Sequence, residues 1–326
     1  MQDLKQQAFS EFDLIARFFT PPARGGTVGV GDDCGIFSVQ PGFQLAVSTD
    51  TLIEGRHFYA DTDPEDLGHK ALAVNLSDLS AVGARPRGCL LALSLPAVDI
   101  QWLEQFSAGF LALAQAADCL LIGGDTTRSV QGISMTVTVL GEVPIAQALL
   151  RNRALPEDDI WVTGALGGPF TALQMLAGRW PRDEQVLAQV LPRLQRPVPP
   201  YQWAPELIGH AHAAIDISDG LVQDLGHILQ ASQCGAELFF DRLPLHDALG
   251  QCSQTEQMEA ALTGGDEFEL CFTAPQGSRA YVLDSARKAG VAVERVGVIT
   301  RGDVLTVYGA DGSPIDSVFE GFDHFS

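Results

Sequence analysis

Ser48-Thr49-Asp50-Thr51-Leu52-Ile53-Glu54-Gly55-Arg56-His57-Phe58 is the stretch on which the fold turns. It follows Phe43-Gln44-Leu45-Ala46-Val47, where Phe43, Leu45 and Val47 alternate with Gln44 and Ala46. That period of two predicts a buried strand. The strand then runs into hydroxyls, a carboxylate, a glycine and a histidine. Strand ends rich in oxygen donors are where α/β folds place their sites. Thr49 and Asp50 offer hard oxygens that suit Mg²⁺, and His57 is a group that can touch a substrate.

Outward from this stretch the same pattern recurs. Gly31-Asp32-Asp33-Cys34-Gly35 reads as a tight turn presenting carboxylates, and no Walker A pattern occurs anywhere in the chain. Pro64 opens a helix through Ala81, with Leu72, Leu76 and Leu79 as its core stripe. Asn75 and Asp78 share another face of it, and Gly83 closes it. An Asp so near a helix C-terminus opposes the macrodipole and needs a compensating partner, which a metal would supply. Cys119 to Ile122 predicts a short strand ending in Gly123-Gly124-Asp125-Thr126-Thr127-Arg128. Ile133 to Leu140 alternates as a strand. Past a boundary near residue 148, Asp159 to Thr163 starts a strand, followed by Gly164-Ala165-Leu166-Gly167-Gly168-Pro169 and a helix. That glycine loop could receive a phosphate or be a plain turn. Ala213 to Ile217 is a buried strand carrying Asp216, continuing into Ser218-Asp219-Gly220 and a helix. Leu262-Thr263-Gly264-Gly265-Asp266-Glu267 precedes a strand at Phe268 to Phe272.

The bulk properties bound what such a chain does. Its 326 residues suggest two domains, read as 1–148 and 149–326. The fold class is α/β with α+β character: a mixed N-terminal sheet with helices on one side, then a C-terminal α/β domain. A net charge of -21 repels nucleic acid and anionic membranes, so neither is an expected partner. The six cysteines include no C-x-x-C pair, which argues against zinc and for buried, reduced thiols. With no apolar signal region and no long apolar run, a soluble, cytoplasmic protein is expected.

Asp33, Asp50, Asp78, Asp125, Asp216 and Asp219 all stand at similar element ends beside Gly, Ser or Thr. Each alone reads as a cap or turn. If they converge, each close pair repels by about 4 kcal/mol at an effective dielectric of 20. Convergence then demands cations, and oxygen-only ligands select Mg²⁺ or Mn²⁺. Asp61-Thr62-Asp63-Pro64-Glu65-Asp66 fails as an EF-hand, because Asp66 stands where that loop needs glycine. Arg151 reads as a phosphate clamp or a surface charge, and Phe322 as packing or a stacking ring.

Six blocks now stand in order: Gly31-Asp32-Asp33-Cys34, Ser48 to Leu52, Lys70 to Leu79, Gly123 to Arg128, Ile215 to Leu221 and Gly264 to Leu270. Together they resemble the bacterial thiamine-monophosphate kinases. The resemblance implies a two-domain fold shared with aminoimidazole-ribonucleotide synthetase, and a homodimer whose N-terminal sheets pair. It implies transfer of the γ-phosphoryl of ATP to thiamine monophosphate. By likeness Asp33, Ser48, Thr49, Asp50, Asp78, Asp125, Asp216 and Asp219 fall at positions for several Mg²⁺ ions, with Asp50, Asp125 and Asp219 catalytic. Gly124, Asp125, Arg151 and Ser218 fall at nucleotide positions, and His57, Asp266 and Phe322 at substrate positions. The connecting loop departs from the family in Arg151-Asn152-Arg153 and Pro156-Glu157-Asp158. The competing readings are a sister enzyme that activates an amide or formyl oxygen with ATP, and a non-catalytic cation or nucleotide sensor.

Overall fold

The computed structural model describes residues 10–22, 28–31 and 34–315. Asp33 and Phe322, two of the expected site residues, lie outside them. Two compact units emerge. One comprises Met1–Pro41, Val47–Asn75 and Pro86–Leu140; the other Gly42–Ala46, Leu76–Arg85 and Gly141–Ser326.

The first unit is built on α1 (Glu11–Phe18), β1 (Phe43–Ile53), α2 (Pro64–Ala81), β2 (Arg85–Leu95), α3 (Ile100–Ala116), β3 (Leu120–Arg128) and β4 (Ser134–Pro144), with the start of β1, α2 past Asn75, Arg85 of β2 and the end of β4 counted in the second. Its four strands run in the order β1-β4-β2-β3, with β2 and β3 parallel. Helices cover one face, where Leu91, Leu93, Leu121, Met135, Val137 and Val139 are buried. Two glycines let α2 and α3 cross closely. A Cβ on Gly68 would lie 2.0 Å from Phe106 O, and one on Gly109 would lie 1.9 Å from Glu65 O. An aromatic row, Phe19, Phe106, Phe110 and Trp102, packs α1's end onto α3.

β1 corrects two expectations. It does not end at Val47 but continues to Ile53, so the Ser-Thr-Asp-Thr run is strand throughout. Leu45 and Val47 are not buried: they are 44% and 57% exposed. They point to the face without helices, where Thr49 pairs with Thr138 and Thr51 with Thr136 through their hydroxyls. The alternation marked the strand correctly, but it could not say which face had a cover. β3 likewise runs through Asp125 to Arg128 rather than ending before it.

The second unit adds β5 (Asp159–Thr163), α4 (Gly168–Leu176), α5 (Glu184–Gln195), β6 (Ala213–Ile217), α6 (Leu221–Ser232), β7 (Gly235–Phe239), α7 (Gln254–Thr263), β8 (Glu269–Ala274), α8 (Arg279–Ala289), β9 (Val293–Thr300) and β10 (Leu305–Tyr308). The sheet order is β10-β7-β9-β5-β8-β6, antiparallel except for the β10–β7 edge. Both faces are covered, so its central strands read as unbroken buried runs. Ile160, Val162, Ile215 and Ile217 pack with α6 on one side. Trp161, Ala214, Leu270 and Phe272 pack with α8 on the other. Among the described residues, no helix is long and apolar enough to cross a membrane.

Candidate active site

In the second unit, the last turn of α2 meets β6. Ser77 Oγ donates to Asp216 Oδ2 at 2.8 Å. Asp216 is buried and Asp78 half-buried. Burial, with the Asp78 charge behind it, pushes the Asp216 carboxyl up to about 7. The last turn of α2 contains no basic residue. Two of the expected carboxylates, far apart in sequence, are therefore neighbours, and their charges oppose each other.

β6 ends in the turn Ser218-Asp219-Gly220, whose three backbone N–H groups all donate to one oxygen of Asp224, at 3.0, 3.0 and 3.1 Å. Such a nest of amides is a natural anion seat. Here the first turn of α6 fills it from within. Burial lifts the Asp224 carboxyl to about 6 even against these donors. Asp224 was not among the expected residues. Its signal is an acidic residue one turn into a helix that opens on Ser-Asp-Gly.

The Gly164–Pro169 loop shows the same device. Gly167 N–H donates to Glu267 Oε1 at 2.6 Å, and Thr163 Oγ1 donates to Glu269 Oε2 at 2.6 Å. Arg193 forms an ion pair with Glu269. A Cβ on Gly164 would lie 1.9 Å from Glu269 Oε1, so glycine there makes room for a carboxylate of the protein. Of the amides in this loop, that of Gly167 already donates to a carboxyl of the protein. The neighbouring loop folds back on the Asp216 strand, with Asp266 N–H donating to Ser218 O and Phe268 N–H to Ile217 O, both at 2.8 Å.

In the first unit, Asp50 N–H donates to Asn75 Oδ1 at 3.0 Å, which ties β1 to α2. Thr49 Oγ1 donates to Val137 O at 3.1 Å on the opposite face. Neighbouring strand residues point to opposite faces, so Ser48 and Asp50 share one side and the Thr49 side chain takes the other. His57 Nδ1 accepts Ile53 N–H at 3.0 Å, which places the ring proton on Nε2. Gly124 lies so close to β2 that a Cβ would meet Leu91 O at 1.9 Å, and Asp125 beside it is exposed in register with Ala92. Asp50 and Asp125 stand on opposite edge strands of the sheet. Three strand steps of roughly 4.8 Å separate them, well beyond the reach of one shared ion.

Arg151 opens a short 3₁₀ turn and is exposed; Ser232 Oγ at the end of α6 donates to its carbonyl at 2.8 Å. Among the described residues, no three His, Cys, Asp or Glu side chains form a ready metal cage. Mg²⁺ rarely needs one: it is commonly held by one or two carboxylates together with substrate phosphates. The Asp78–Asp216 pair, oxygen-only and mutually repelling, fits that demand.

This architecture is that of the AIR synthase related proteins. The models of their N-terminal and C-terminal domains match residues 31–143 and 156–310. Thiamine-monophosphate kinase of Escherichia coli K12 is 42% identical over 324 residues, covering 98% of this chain and 99% of that protein. The crystal structure of thiamine-monophosphate kinase from Stenotrophomonas maltophilia superposes with a TM-score of 0.82 at 42% identity, over 90% of this chain and 93% of that one. AaThiL complexed with AMPPCP and TMP superposes with a TM-score of 0.76 at 28% identity, over 91% and 92%. Within that class, the chain belongs to the thiamine-monophosphate kinase family.

Proposed function

We propose that this chain transfers the γ-phosphoryl group of ATP directly to thiamine monophosphate, giving thiamine diphosphate. The substrate pair follows its family, one member of which was captured with AMPPCP and TMP. The observation that carries the chemistry is buried Asp216 beside half-buried Asp78: burial first, and the Asp78 charge second, push the Asp216 carboxyl up to about 7. Carboxylates so arranged await a divalent cation. The turns that could otherwise seat a phosphate, at Gly167 and at Ser218 to Gly220, are closed by Glu267 and Asp224. A chain of net charge -21 then has little of its own to offer two anionic phosphates.

We assign Asp33, Ser48, Thr49, Asp50, Asp78, Asp125, Asp216 and Asp219 as Mg²⁺ ligands. These residues would hold the cation, which would supply neutralisation of the charge that develops in transfer. Gly124, Arg151 and Ser218 contact the nucleotide. His57, Asp266 and Phe322 orient thiamine monophosphate. The acceptor is already an anion at neutral pH, so no strong general base is required.

We place the enzyme in the cytoplasm as a homodimer. The uncovered face carries Leu45, Val47 and Ile53, and both β1 and β3 are edge strands of the sheet. Closing two such sheets edge to edge buries that face and satisfies the edges. It also brings the edge strand that carries Asp50 in one copy to the edge strand that carries Asp125 in the other.

The test is formation of thiamine diphosphate from ATP and thiamine monophosphate by the wild type and by Asp50→Asn and Asp125→Asn. Folded variants without turnover are expected. Near-normal turnover in both rejects their role.

A further inference from the structure

The loop before β8 carries two acids in succession, and the reading above uses only Asp266. Glu267 is 2% exposed. Its Oε1 accepts from Gly167 N–H, while its buried Oε2 has no hydrogen-bond partner among the described residues. Glu269 lies two residues on, near enough for its charge to act on Glu267, and it takes both the Arg193 guanidinium and the Thr163 hydroxyl. One cation thus serves two buried carboxyls, and it is spent on Glu269. Burial, reinforced by the Glu269 charge, holds the Glu267 carboxyl well above the ordinary carboxylate range.

The backbone on either side of Glu267 is strained. Asp266 has φ 65° and Phe268 has φ 52°, left-handed conformations that side chains other than glycine disfavour. On one flank the loop is fastened to β6 through Asp266 N–H to Ser218 O and Phe268 N–H to Ile217 O. Gly265 permits this approach, since a Cβ there would lie 2.5 Å from Ser218 O. On the other flank the Glu267 side chain reaches the N-terminus of α4. Gly167 is fixed there in turn by its carbonyl, which accepts from Thr171 Oγ1 at 2.7 Å.

We propose that Glu267 is a positioning residue of the thiamine monophosphate site: its grip on the Gly167 amide fixes the strained backbone that aims Asp266. The inference rests on the reading of Asp266 as a substrate contact. Glu267 itself acts through that neighbour, from within the core.

The test compares kcat and the KM for each substrate in the full-length enzyme and four variants: Glu267→Gln, Glu267→Ala, Asp266→Asn and the Asp266→Asn/Glu267→Ala double variant. Glu267→Gln keeps a neutral acceptor for Gly167 and stays within about twofold of wild type throughout. Glu267→Ala raises the KM for thiamine monophosphate about tenfold, the effect of one lost buried hydrogen bond, and leaves the KM for ATP within about twofold. Asp266→Asn raises the same KM, and the double variant is no worse than Asp266→Asn alone. Should Glu267→Ala not fold, Glu267→Asp, one methylene short of Gly167, carries the same expectation. An unchanged KM for thiamine monophosphate in Glu267→Ala, with Asp266→Asn impaired, overturns the positioning role alone. So does a rise in both KM values together. A silent Asp266→Asn overturns the substrate reading of Asp266 and the inference built on it.

Discussion

Ser77 donates its hydroxyl to Asp216 across 2.8 Å, so the last turn of α2 holds one oxygen of a buried carboxylate whose other neighbour is Asp78. With its carboxyl at about 7 in the fold against an ordinary 3.8, Asp216 is stabilising while protonated. That contribution is complete below the ordinary value and lost as pH rises through about 7. The metal-free protein is therefore less stable at pH ~8 than at pH ~6, by about 1 kcal/mol from Asp216, and melts at a lower temperature. Asp224 and Glu267, also raised, push in the same direction. Asp216→Asn flattens its share of the slope, and Mg²⁺ recovers most stability at the higher pH. Thermal melts with and without the ion check this; a pH-independent midpoint contradicts it.

Asp50 and Asp125 occupy opposite edges of one sheet, so the proposed dimer makes a specific claim about their cooperation. Asp50→Asn and Asp125→Asn homodimers are each inactive. Unfolding, mixing in equal amounts and refolding them yields heterodimers with one intact and one doubly altered site. About a quarter of wild-type activity returns. No recovery, with heterodimers verified by mass, places both aspartates in one copy.

Asp224 closes an amide nest that carries Ser218 and Asp219. Asp224→Ala leaves three buried or half-buried donors without their acceptor and costs roughly 1–3 kcal/mol in urea denaturation. Turnover falls further than stability alone explains, because the turn no longer holds its shape. Asp224→Asn, which keeps an acceptor oxygen, recovers part of both.

Gly68 and Gly109 set the distance between α2 and α3. A methyl group at either would overlap backbone carbonyl oxygen at 2.0 or 1.9 Å. Gly68→Ala and Gly109→Ala each destabilise by about 1–3 kcal/mol, read from denaturation midpoints. Equal stability of either variant and wild type would show that the helices shift apart freely.

Much of this was legible in the sequence, for reasons that differ by residue. The helix from Pro64 to Ala81 announced itself by its leucine stripe, and β5 and β6 by unbroken apolar runs. Asp78 and Asp216 were both among the six recurring carboxylates, but nothing in the sequence singled them out as a pair. α5 was not foreseen, since Pro192 lies inside it and its apolar face packs on α4 rather than on a sheet. β7 and α7 were also missed: β7 is short and opens on a glycine, and α7 has little amphipathic contrast. The roles of Asp224 and Glu267 were hidden because each is defined by amides that only folding brings to it. The exposure of Leu45 and Val47 was hidden too, because alternation is blind to which face is covered.

The central claim is that the amides at Gly167 and at Ser218 to Gly220 are closed to phosphate and that divalent cations on the aspartates take their place. Thiamine diphosphate formation, measured at saturating ATP and thiamine monophosphate against free Mg²⁺, tests it most directly. The account predicts no product in excess chelator, a steep rise as Mg²⁺ is restored, and no such rise in Asp50→Asn. Turnover that persists in chelator at the Mg²⁺-saturated rate would contradict it.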